Sequence, residues 1–483
     1  MSASLQERLL ADAPLLRAWS DFVERDRTPF TIPGHQRRAG LLAPVLGRLL
    51  DPDVPLFGGL DGVNLEHGRL AAAEAAAAQL WGADWCRFSV GGSTHANQAV
   101  LLGATGPADT VLVARNAHRS TLLGLVLSGA RPRWLPVSVE ERTGLPAGVS
   151  SATLRSALAE EPRAALVVLV SPSYAGTVNP GLGELVDLAH ARSVPVAVDQ
   201  AWGAHLGFHP AYPGHALGAG ADAMVTSAHK GLPAFSQAAL LLARARHLVP
   251  DRLDRGFEAS NTTSPSGAVL ASIDVSRALL AQPEARELLE RTAAAVGQAR
   301  TRLRGAGYLV PGPEDFPDGL FDPAKLVVQR GRAGHDLAAL GAWLAGAGMP
   351  MEMADADTLV PVVGLIDPAP GLDRLVATLV AEAPRGGAAA APPATFAPAT
   401  VPPQVLTPRE AFFAAQATVP AAAAVGRVCA EVIAPYPPGV PVLVPGETVT
   451  DEALGQLRQA AARGTRIAYA ADPTLEQIIV VAG

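Results

Sequence analysis

The stretch TSAHKGLPAF, residues 226–235, contains Lys230, one of only two lysines in the chain. The other is Lys325, although lysine and arginine together number 38. An amine can lose its proton and form a Schiff base with a carbonyl compound, whereas a guanidinium stays protonated. Most lysines are solvated surface side chains. Because this chain uses arginine for nearly all of its cations, its lysine at 230 indicates a nucleophilic role.

Asp199 ends the apolar run VPVAVD, upstream of Lys230. A carboxylate at the end of a strand can pair with a protonated ring nitrogen of a cofactor. It can equally be an ordinary aspartate of a turn.

The segment VGGSTHANQA, residues 90–99, places Gly-Gly and Ser-Thr before a helical pattern. Free backbone N–H groups and hydroxyls at a helix N-terminus suit a phosphate, although Ser or Thr after glycine is also a common helix cap. His118, in ARNAHRST, can stack on a flat ring and handle protons, or it can be a structural histidine. The histidines show no spacing typical of metal ligands, so no metal site is expected.

Short apolar runs that alternate with helical stretches must position these groups. Such runs predict an α/β fold whose mostly parallel sheet is covered on both faces. Ligands of these sheets bind beyond the carboxyl ends of the strands. Asp199 is the last residue of such a run, and His118 and Lys230 follow such runs. The expected strands are DTVLVAR (109–115), RWLPVS (133–138), ALVVLVS (165–171), VPVAVD (194–199), ADAMVTS (221–227) and QAALLLA (237–243).

The pattern changes beyond residue 245 and predicts further units. One long helical stretch is expected over 268–307, and YPPGVPVLVPGE (436–447) predicts a turn leading into a strand. Lys325 falls in the predicted small domain and is expected to be dispensable. The predicted divisions are an N-terminal segment 1–65, a cofactor-binding large domain 66–310, a small α+β domain 311–382, a Pro/Ala-rich linker 383–403 and a C-terminal α+β domain 404–483.

Composition excludes several other classes of protein. The chain has 483 residues, 49% hydrophobic and 17% charged, as expected of a soluble globular enzyme. A net charge of −7 favours neither a nucleic-acid groove nor an anionic membrane surface. The sequence has no apolar run of about 18 residues and no signal core at its N-terminus. Two cysteines, Cys86 and Cys429, make no disulfide framework and predict a cytoplasmic location.

Taken together, SAHKGLPAFSQAAL, DQAWGAH, GGSTHANQA, ARNAHRS and SPSYAGT resemble the ornithine/lysine/arginine decarboxylase family. These are pyridoxal-phosphate enzymes of the aspartate-aminotransferase fold, also called fold type I. The resemblance continues in order through TPFTIPGHQRRAG, GLDGVNLEHG, NTTSPSGAVLASID and the C-terminal LTPREAFF and APYPPGVPVLVPGE. Positions that depart from common family residues are Gln36, Leu56, Gln200, Trp202 and Gly267.

The resemblance implies roles for individual residues. Lys230 would bond the aldehyde of pyridoxal phosphate, Asp199 would pair with its pyridine nitrogen, and His118 would stack on its ring; these three are the implied catalytic residues. The remaining implied cofactor-binding residues are Ser93, Thr94, Ala201, Trp202, Ser227, His229, Thr262 and Thr263. Thr262 or Thr263 would reach the phosphate of a partner subunit, so a homodimer or dimer-based assembly is expected.

The implied reaction is decarboxylation of a basic amino acid (arginine, lysine or ornithine) to the corresponding amine of polyamine metabolism. A transamination or lyase reaction on the same scaffold stays open, as does a non-catalytic homologue. The distal cation of a basic substrate requires a carboxylate or carbonyl close by. The candidates are Glu410, Glu431 and Asp61.

Overall fold

The computed structural model of the chain describes residues 3–24, 32, 35, 40, 52–54, 68–334, 336–366, 368–382, 401–436 and 440–482. The strands are β1 Trp85–Ser89, β2 Thr110–Ala114, β3 Arg131–Leu135, β4 Ser138–Val139, β5 Pro146–Gly148, β6 Leu166–Val170, β7 Val196–Asp199, β8 Ala223–Ser227, β9 Ala239–Ala243, β10 Val328–Gln329, β11 Met353–Ala354, β12 Thr358–Val360, β13 Gln416–Pro420, β14 Ala434–Tyr436, β15 Arg466–Ala468 and β16 Gln477–Val481.

The α-helices are α1 Leu5–Asp12, α2 Pro14–Glu24, α3 Arg69–Trp81, α4 Gly92–Ala104, α5 Arg119–Ser128, α6 Ser151–Glu160, α7 Leu182–His190, α8 Ala228–Gly231, α9 Pro250–Glu258, α10 Gly267–Leu280, α11 Pro283–Gly305, α12 Leu337–Gly346, α13 Ala369–Glu382, α14 Pro408–Phe413, α15 Ala421–Ala424 and α16 Asp451–Ala462. Three short 3₁₀ helices span Pro313–Asp315, Pro317–Gly319 and Gly331–Ala333. Within the described ranges, none of the helices combines the length and apolar character that a membrane span requires.

A seven-stranded sheet in the order β1-β9-β8-β7-β6-β2-β3 forms the centre of the molecule. Neighbours from β8 to β3 run parallel, and β9 runs antiparallel to both β1 and β8. All residues of β2, β7, β8 and β9 are buried, as expected for strands covered on both faces. The predicted α/β fold with a mostly parallel sheet is therefore confirmed.

Strand β1 was not predicted from the sequence. Its segment WCRFS carries Arg87 between apolar residues, and this arginine pairs with two acids, Glu74 at 3.2 Å and Asp254 at 2.8 Å. The strand is recognisable only through its antiparallel pairing with β9, which lies far along the chain.

The predicted helical stretch over 268–307 is two helices. Helix α10 ends at Leu280, and α11 begins at Pro283 after an extended Gln282. Proline has no N–H group and clashes with a preceding helical turn, so it starts a helix rather than continuing one. The range is therefore helical as predicted, apart from a break at residues 281–282 that the prediction did not include, and α10 contacts the N-terminal helices α1 and α2.

Two further units adjoin the large sheet. The three-stranded sheet β10-β12-β11 packs with α12 and α13 around an apolar cluster that includes Val328, Leu359 and Val376. The C-terminal segment pairs β13 with β16 and β14 with β15 around its own buried cluster. Tyr436 ends β14, and the rest of the described part of 436–447 contributes only isolated bridges, so the strand predicted after this turn is wrong. The predicted domain boundaries stay a prediction.

A buried ion pair joins the C-terminal segment to the large sheet. Arg115 directly follows β2, and its Nη1 lies 2.8 Å from Oε1 of Glu447, with both side chains almost inaccessible to solvent. The same guanidinium donates to the carbonyl oxygen of Val442 at 2.9 Å. Burial raises the pKa of Glu447, and the Arg115 charge opposes this shift. A protein loses much stability when one partner of such a buried pair is removed. The pair therefore ties the C-terminal segment to the end of β2.

Helix α4 and helix α9 meet backbone to backbone. A Cβ added to Gly256 would lie 2.5 Å from both the Ala99 carbonyl oxygen and the Gly103 nitrogen. We expect Gly256→Ala to lower the free energy of unfolding by about 1–3 kcal/mol, because the overpacked helices must separate.

The matched control is Gly455→Ala in α16, where an added Cβ has open space. This variant should be neutral or up to about 1 kcal/mol more stable. Thermal and denaturant unfolding of both variants provide the measurement. Equal stability of the two alanine variants would contradict the close contact of α4 with α9.

Candidate active site

An open cavity of about 850 Å³, including solvent at its mouth, lies at the carboxyl ends of the parallel strands. Residues from the large sheet, the small three-stranded unit and the C-terminal segment all line it. Six of the residues predicted from the sequence meet there: Ser93, His118, Asp199, Ala201, Trp202 and Lys230. Lining residues that sequence reasoning missed include Asn116, Tyr174, Glu352 and Tyr436.

Asp199 is a buried carboxylate with fixed orientation. Its Oδ2 accepts a hydrogen bond from Asn97 Nδ2 at 2.8 Å, and its Oδ1 accepts from the backbone N–H of Ala201 at 3.0 Å. The same Asn97 amide donates to Ser120 Oγ at 2.9 Å. Asn97 was not predicted, although it lies four residues after Ser93 on the same face of α4. These bonds hold the carboxylate at the cavity, where it can pair with a protonated ring nitrogen.

His118 caps helix α5 and faces the same cavity. The backbone N–H of Ser120 donates to its Nδ1 at 3.2 Å, so a neutral ring carries its proton on Nε2. Burial lowers the pKa of His118, with the charge of Lys230 adding to the effect and that of Asp199 opposing it. The structure therefore presents a neutral imidazole that can lie against a flat ring.

Lys230 lies in the single turn α8, directly after β8. Its Nζ is 4.7 Å from the centre of the Trp202 ring. Burial lowers the pKa of Lys230, and the carboxylates of Asp199 and Glu352 work against this lowering. A lowered pKa increases the neutral fraction of the amine, which is the form that attacks an aldehyde.

The N-terminus of α4 and the turn at α8 offer donors for an anion. Ser93 lies in the first turn of α4, whose N–H groups have no partner within the helix. In the described structure the hydroxyl of Ser227 is buried and has no hydrogen-bond partner. His229 uses Nδ1 against the Ala238 carbonyl oxygen at 2.9 Å, which leaves Nε2 for a ligand. An unpaired buried hydroxyl and the N-terminus of a helix are both features that suit a phosphate.

Five predicted phosphate residues are not among those lining the cavity: Thr94, Ser227, His229, Thr262 and Thr263. Thr94 is exposed, although its backbone shares the first turn of α4 with Ser93. Thr262 and Thr263 are exposed in the segment between α9 and α10. Within one chain these two threonines do not meet Lys230, and a role at the site of a partner subunit stays a prediction.

The predicted substrate carboxylates also lie away from this cavity. Glu410 is exposed and closes a capping box, where its carboxylate accepts from the backbone N–H of Thr407 at 2.7 Å. Glu431 accepts from the backbone N–H groups of Ala471 and Ile479 at 2.7 and 2.6 Å. Both carboxylates therefore serve the backbone of the C-terminal segment. Asp61 lies outside the described residues.

The second lysine of the chain also lies at the site. Lys325 is buried, and its Nζ is 4.0 Å from the centre of the Trp202 ring and 4.8 Å from that of Tyr174. Within the described chain this Nζ has no hydrogen-bond partner, and burial lowers its pKa to about 8. The expectation that Lys325 is dispensable rested on its place in a separate domain, and the structure removes that basis.

Gln200 and Trp202, two of the positions that depart from common family residues, differ in their surroundings. Gln200 donates from Nε2 to the Gly203 carbonyl oxygen and accepts from the Ala216 N–H, both at 2.8 Å, so its amide fixes the turn after β7. Trp202, in contrast, lines the cavity and packs edge-on against Tyr174 with ring centres 5.1 Å apart. Gln36 and Leu56 lie outside the described residues.

Among the described residues, His190, Asp222 and His247 form one cluster of side chains of the types that can bind a metal ion. His190 Nε2 and His247 Nδ1 lie 2.7 and 2.9 Å from different oxygens of Asp222. One of these oxygens also accepts from the backbone N–H of Val196 at 2.7 Å. Hydrogen bonds thus account for this cluster, and it has no contact with the cavity around Lys230.

Comparison with known proteins agrees with this geometry. The family profile described as Orn/Lys/Arg decarboxylase, major domain, matches residues 13–310, and the profile of its C-terminal domain matches residues 394–463. The chain is 31% identical to an arginine decarboxylase of Bacillus subtilis (strain 168), over 97% of this chain and 98% of that protein. A lysine decarboxylase, LdcA of Pseudomonas aeruginosa, is 32% identical over 50% of this chain and 35% of that protein.

Solved structures show the same fold. Lysine decarboxylase A from Pseudomonas aeruginosa aligns with a TM-score of 0.78 and 21% identity, over 99% of this chain and 81% of the other. The constitutive lysine decarboxylase of E. coli aligns with a TM-score of 0.76 and 22% identity, over 97% and 82%. The chain therefore belongs to the Orn/Lys/Arg decarboxylase family and is an amino-acid decarboxylase of fold type I that uses pyridoxal phosphate.

Proposed function

We propose that this enzyme decarboxylates arginine and releases agmatine, a precursor in polyamine metabolism. The observation that carries this choice is the likeness along nearly the whole chain to arginine decarboxylases, at 31% and 30% identity in two bacterial proteins. The lysine decarboxylase LdcA shares a similar identity with only half of the chain. A transamination or lyase reaction at the same carbon is the alternative.

Pyridoxal phosphate, when bound, supplies a protonated ring that takes up the electron pair left when carbon dioxide departs. In the proposed site the Asp199 carboxylate holds the proton on the ring nitrogen, because a neighbouring anion favours the charged form of its partner. Asn97 and the backbone of Ala201 keep that carboxylate in place. A carboxylate that needs no reorientation during the reaction is the most effective electrostatic stabiliser.

Lys230 is proposed to bond the cofactor, and His118 to cover one face of its ring. Burial lowers the pKa of both the amine and the imidazole, which increases the neutral fraction of each group. Ala201 and Trp202 line the cavity and are proposed to lie beside the ring. Together these side chains restrict the orientation of the substrate, which decides whether the bond to the carboxylate is the one that breaks.

The phosphate is proposed to lie at the N-terminus of α4. Ser93 and Thr94 would contribute first-turn N–H groups and hydroxyls, and Ser227 and His229 would reach it from the turn at α8. The support for this is the buried hydroxyl of Ser227, which has no partner in the described chain, and the preference of helix N-termini for anions.

We also propose a homodimer that completes each phosphate site with Thr262 or Thr263 of the partner subunit. Their exposure in the described chain leaves them accessible to a second copy. Sedimentation would show the dimer, and a catalytically competent monomer would contradict it. A reducing compartment such as the cytoplasm is proposed because Cys86 and Cys429 are both buried free thiols.

Carbon dioxide release from a panel of amino acids, with added pyridoxal phosphate, tests the proposed reaction. We expect arginine to give the highest kcat/KM, with equal amounts of carbon dioxide and agmatine. Lysine and ornithine serve as shorter basic competitors, and norleucine serves as a neutral one. Formation of a keto acid without carbon dioxide would establish the transamination alternative. A preference for neutral or acidic amino acids would contradict the choice of a basic substrate.

Because the chain contains only two lysines, the lysine that holds the cofactor can be identified directly. Borohydride fixes the cofactor to the amine that carries it, and peptide mass mapping then locates the added mass. We expect it on Lys230 and none on Lys325, and we expect Lys230→Ala to take up no mass. Label on Lys325 of the wild-type enzyme would reassign the nucleophile.

A further inference from the structure

The mouth of the cavity carries a carboxylate that none of the proposed catalytic roles uses. Glu352 lies just before β11 in the small three-stranded unit and lines the cavity. It is exposed, and no described residue forms an ion pair or a hydrogen bond with its carboxylate. No contact among the described residues therefore indicates that this carboxylate caps a helix or stabilises the fold.

The charge of Glu352 influences the pKa of both lysines, Lys230 and Lys325. Burial lowers the pKa of Lys230 and of Lys325, and the carboxylate of Glu352 opposes the lowering at both. The same charge adds to the effect of burial in raising the pKa of Tyr174. No ion pair connects Glu352 to either lysine, so its negative charge at the mouth has no direct partner among the described residues.

The other candidate carboxylates already have partners. Asp199 also lines the cavity, but its two oxygens accept from Asn97 and from the backbone of Ala201. Glu410 and Glu431 accept hydrogen bonds within the C-terminal segment and do not line the cavity. Of the carboxylates that line the described cavity, Glu352 is thus the one whose oxygens remain available to a ligand.

We propose that Glu352 binds the distal cation of the substrate and makes the enzyme prefer a cationic side chain to a neutral one. This inference rests on the proposed decarboxylation of a basic amino acid. A carboxylate can accept two parallel hydrogen bonds from a guanidinium, and these are stronger than bonds between neutral groups. The rings of Tyr174 and Tyr436 line the same cavity and can contact the substrate's methylene chain.

Citrulline is the sharpest test substrate because a urea group replaces the guanidinium of arginine with little change of shape. The quantity to measure is the ratio of kcat/KM for arginine to kcat/KM for citrulline. In Glu352→Gln we expect this ratio to fall by about tenfold to a hundredfold, the range that one charge-assisted hydrogen bond contributes. The loss should arise mainly from a higher KM for arginine, while the cofactor absorbance stays unchanged.

Two further variants separate this role from general effects of charge. Glu290→Gln removes an exposed carboxylate from α11, away from the cavity, and should keep the wild-type ratio. Glu410→Gln removes the rival candidate. An unchanged ratio in Glu352→Gln, or a larger fall in Glu410→Gln, would overturn the proposal.

A binding measurement keeps the test independent of turnover. Isothermal titration compares agmatine with its urea isostere, N-carbamoylputrescine, on wild type and on Glu352→Gln. We expect wild type to favour agmatine and the variant to lose most of that preference. If arginine is not decarboxylated but this preference exists and depends on Glu352, the proposed reaction fails and the cation site stands. A wild-type enzyme that binds both amines equally would overturn the cation site.

Discussion

The site depends on the burial of one negative charge, that of Asp199. An ionised carboxylate inside a protein is costly unless hydrogen bonds or a counter-charge compensate it. Here Asn97 and the backbone of Ala201 supply the hydrogen bonds, and in the proposed site a protonated cofactor ring would supply the counter-charge. Asn97 belongs to α4, the same helix whose first turn contains Ser93, so this hydrogen bond connects Asp199 to the helix at which the phosphate is proposed to lie.

The parallel sheet makes this arrangement possible by bringing the ends of distant segments together. His118 follows β2, Asp199 ends β7 and Lys230 follows β8, so all three face one cavity. Two smaller units then close it. The small unit contributes Glu352, and the C-terminal segment, held by the buried pair of Arg115 and Glu447, contributes Tyr436. The proposed catalytic groups thus come from the ends of the sheet strands, whereas the two added units contribute further residues to the lining of the cavity.

Sequence reasoning identified those site residues whose positions are indicated by the residues next to them along the chain. Lys230 and His118 each follow an apolar run, Asp199 ends one, and strands of this type predict both the fold and the edge at which ligands bind. Asn97 and Lys325 were missed because their significance lies in contacts between segments far apart in sequence. Glu410 is a substrate-binding candidate on its sequence motif alone, and the structure places its carboxylate in a helix cap instead. Pro283 indicates the break between α10 and α11, but the helical pattern on both sides of it gave no sign of an interruption.

The central claim is that Asp199 keeps the ring nitrogen of the cofactor protonated. Pyridoxal phosphate labelled with ¹⁵N in its ring, bound to wild type and to Asp199→Asn, reports this directly in the ¹⁵N NMR spectrum at neutral pH. We predict the chemical shift of a protonated pyridine nitrogen in wild type and that of an unprotonated one in the variant, since an amide offers no counter-charge. A protonated signal in both proteins, or an unprotonated signal in wild type, would contradict the account.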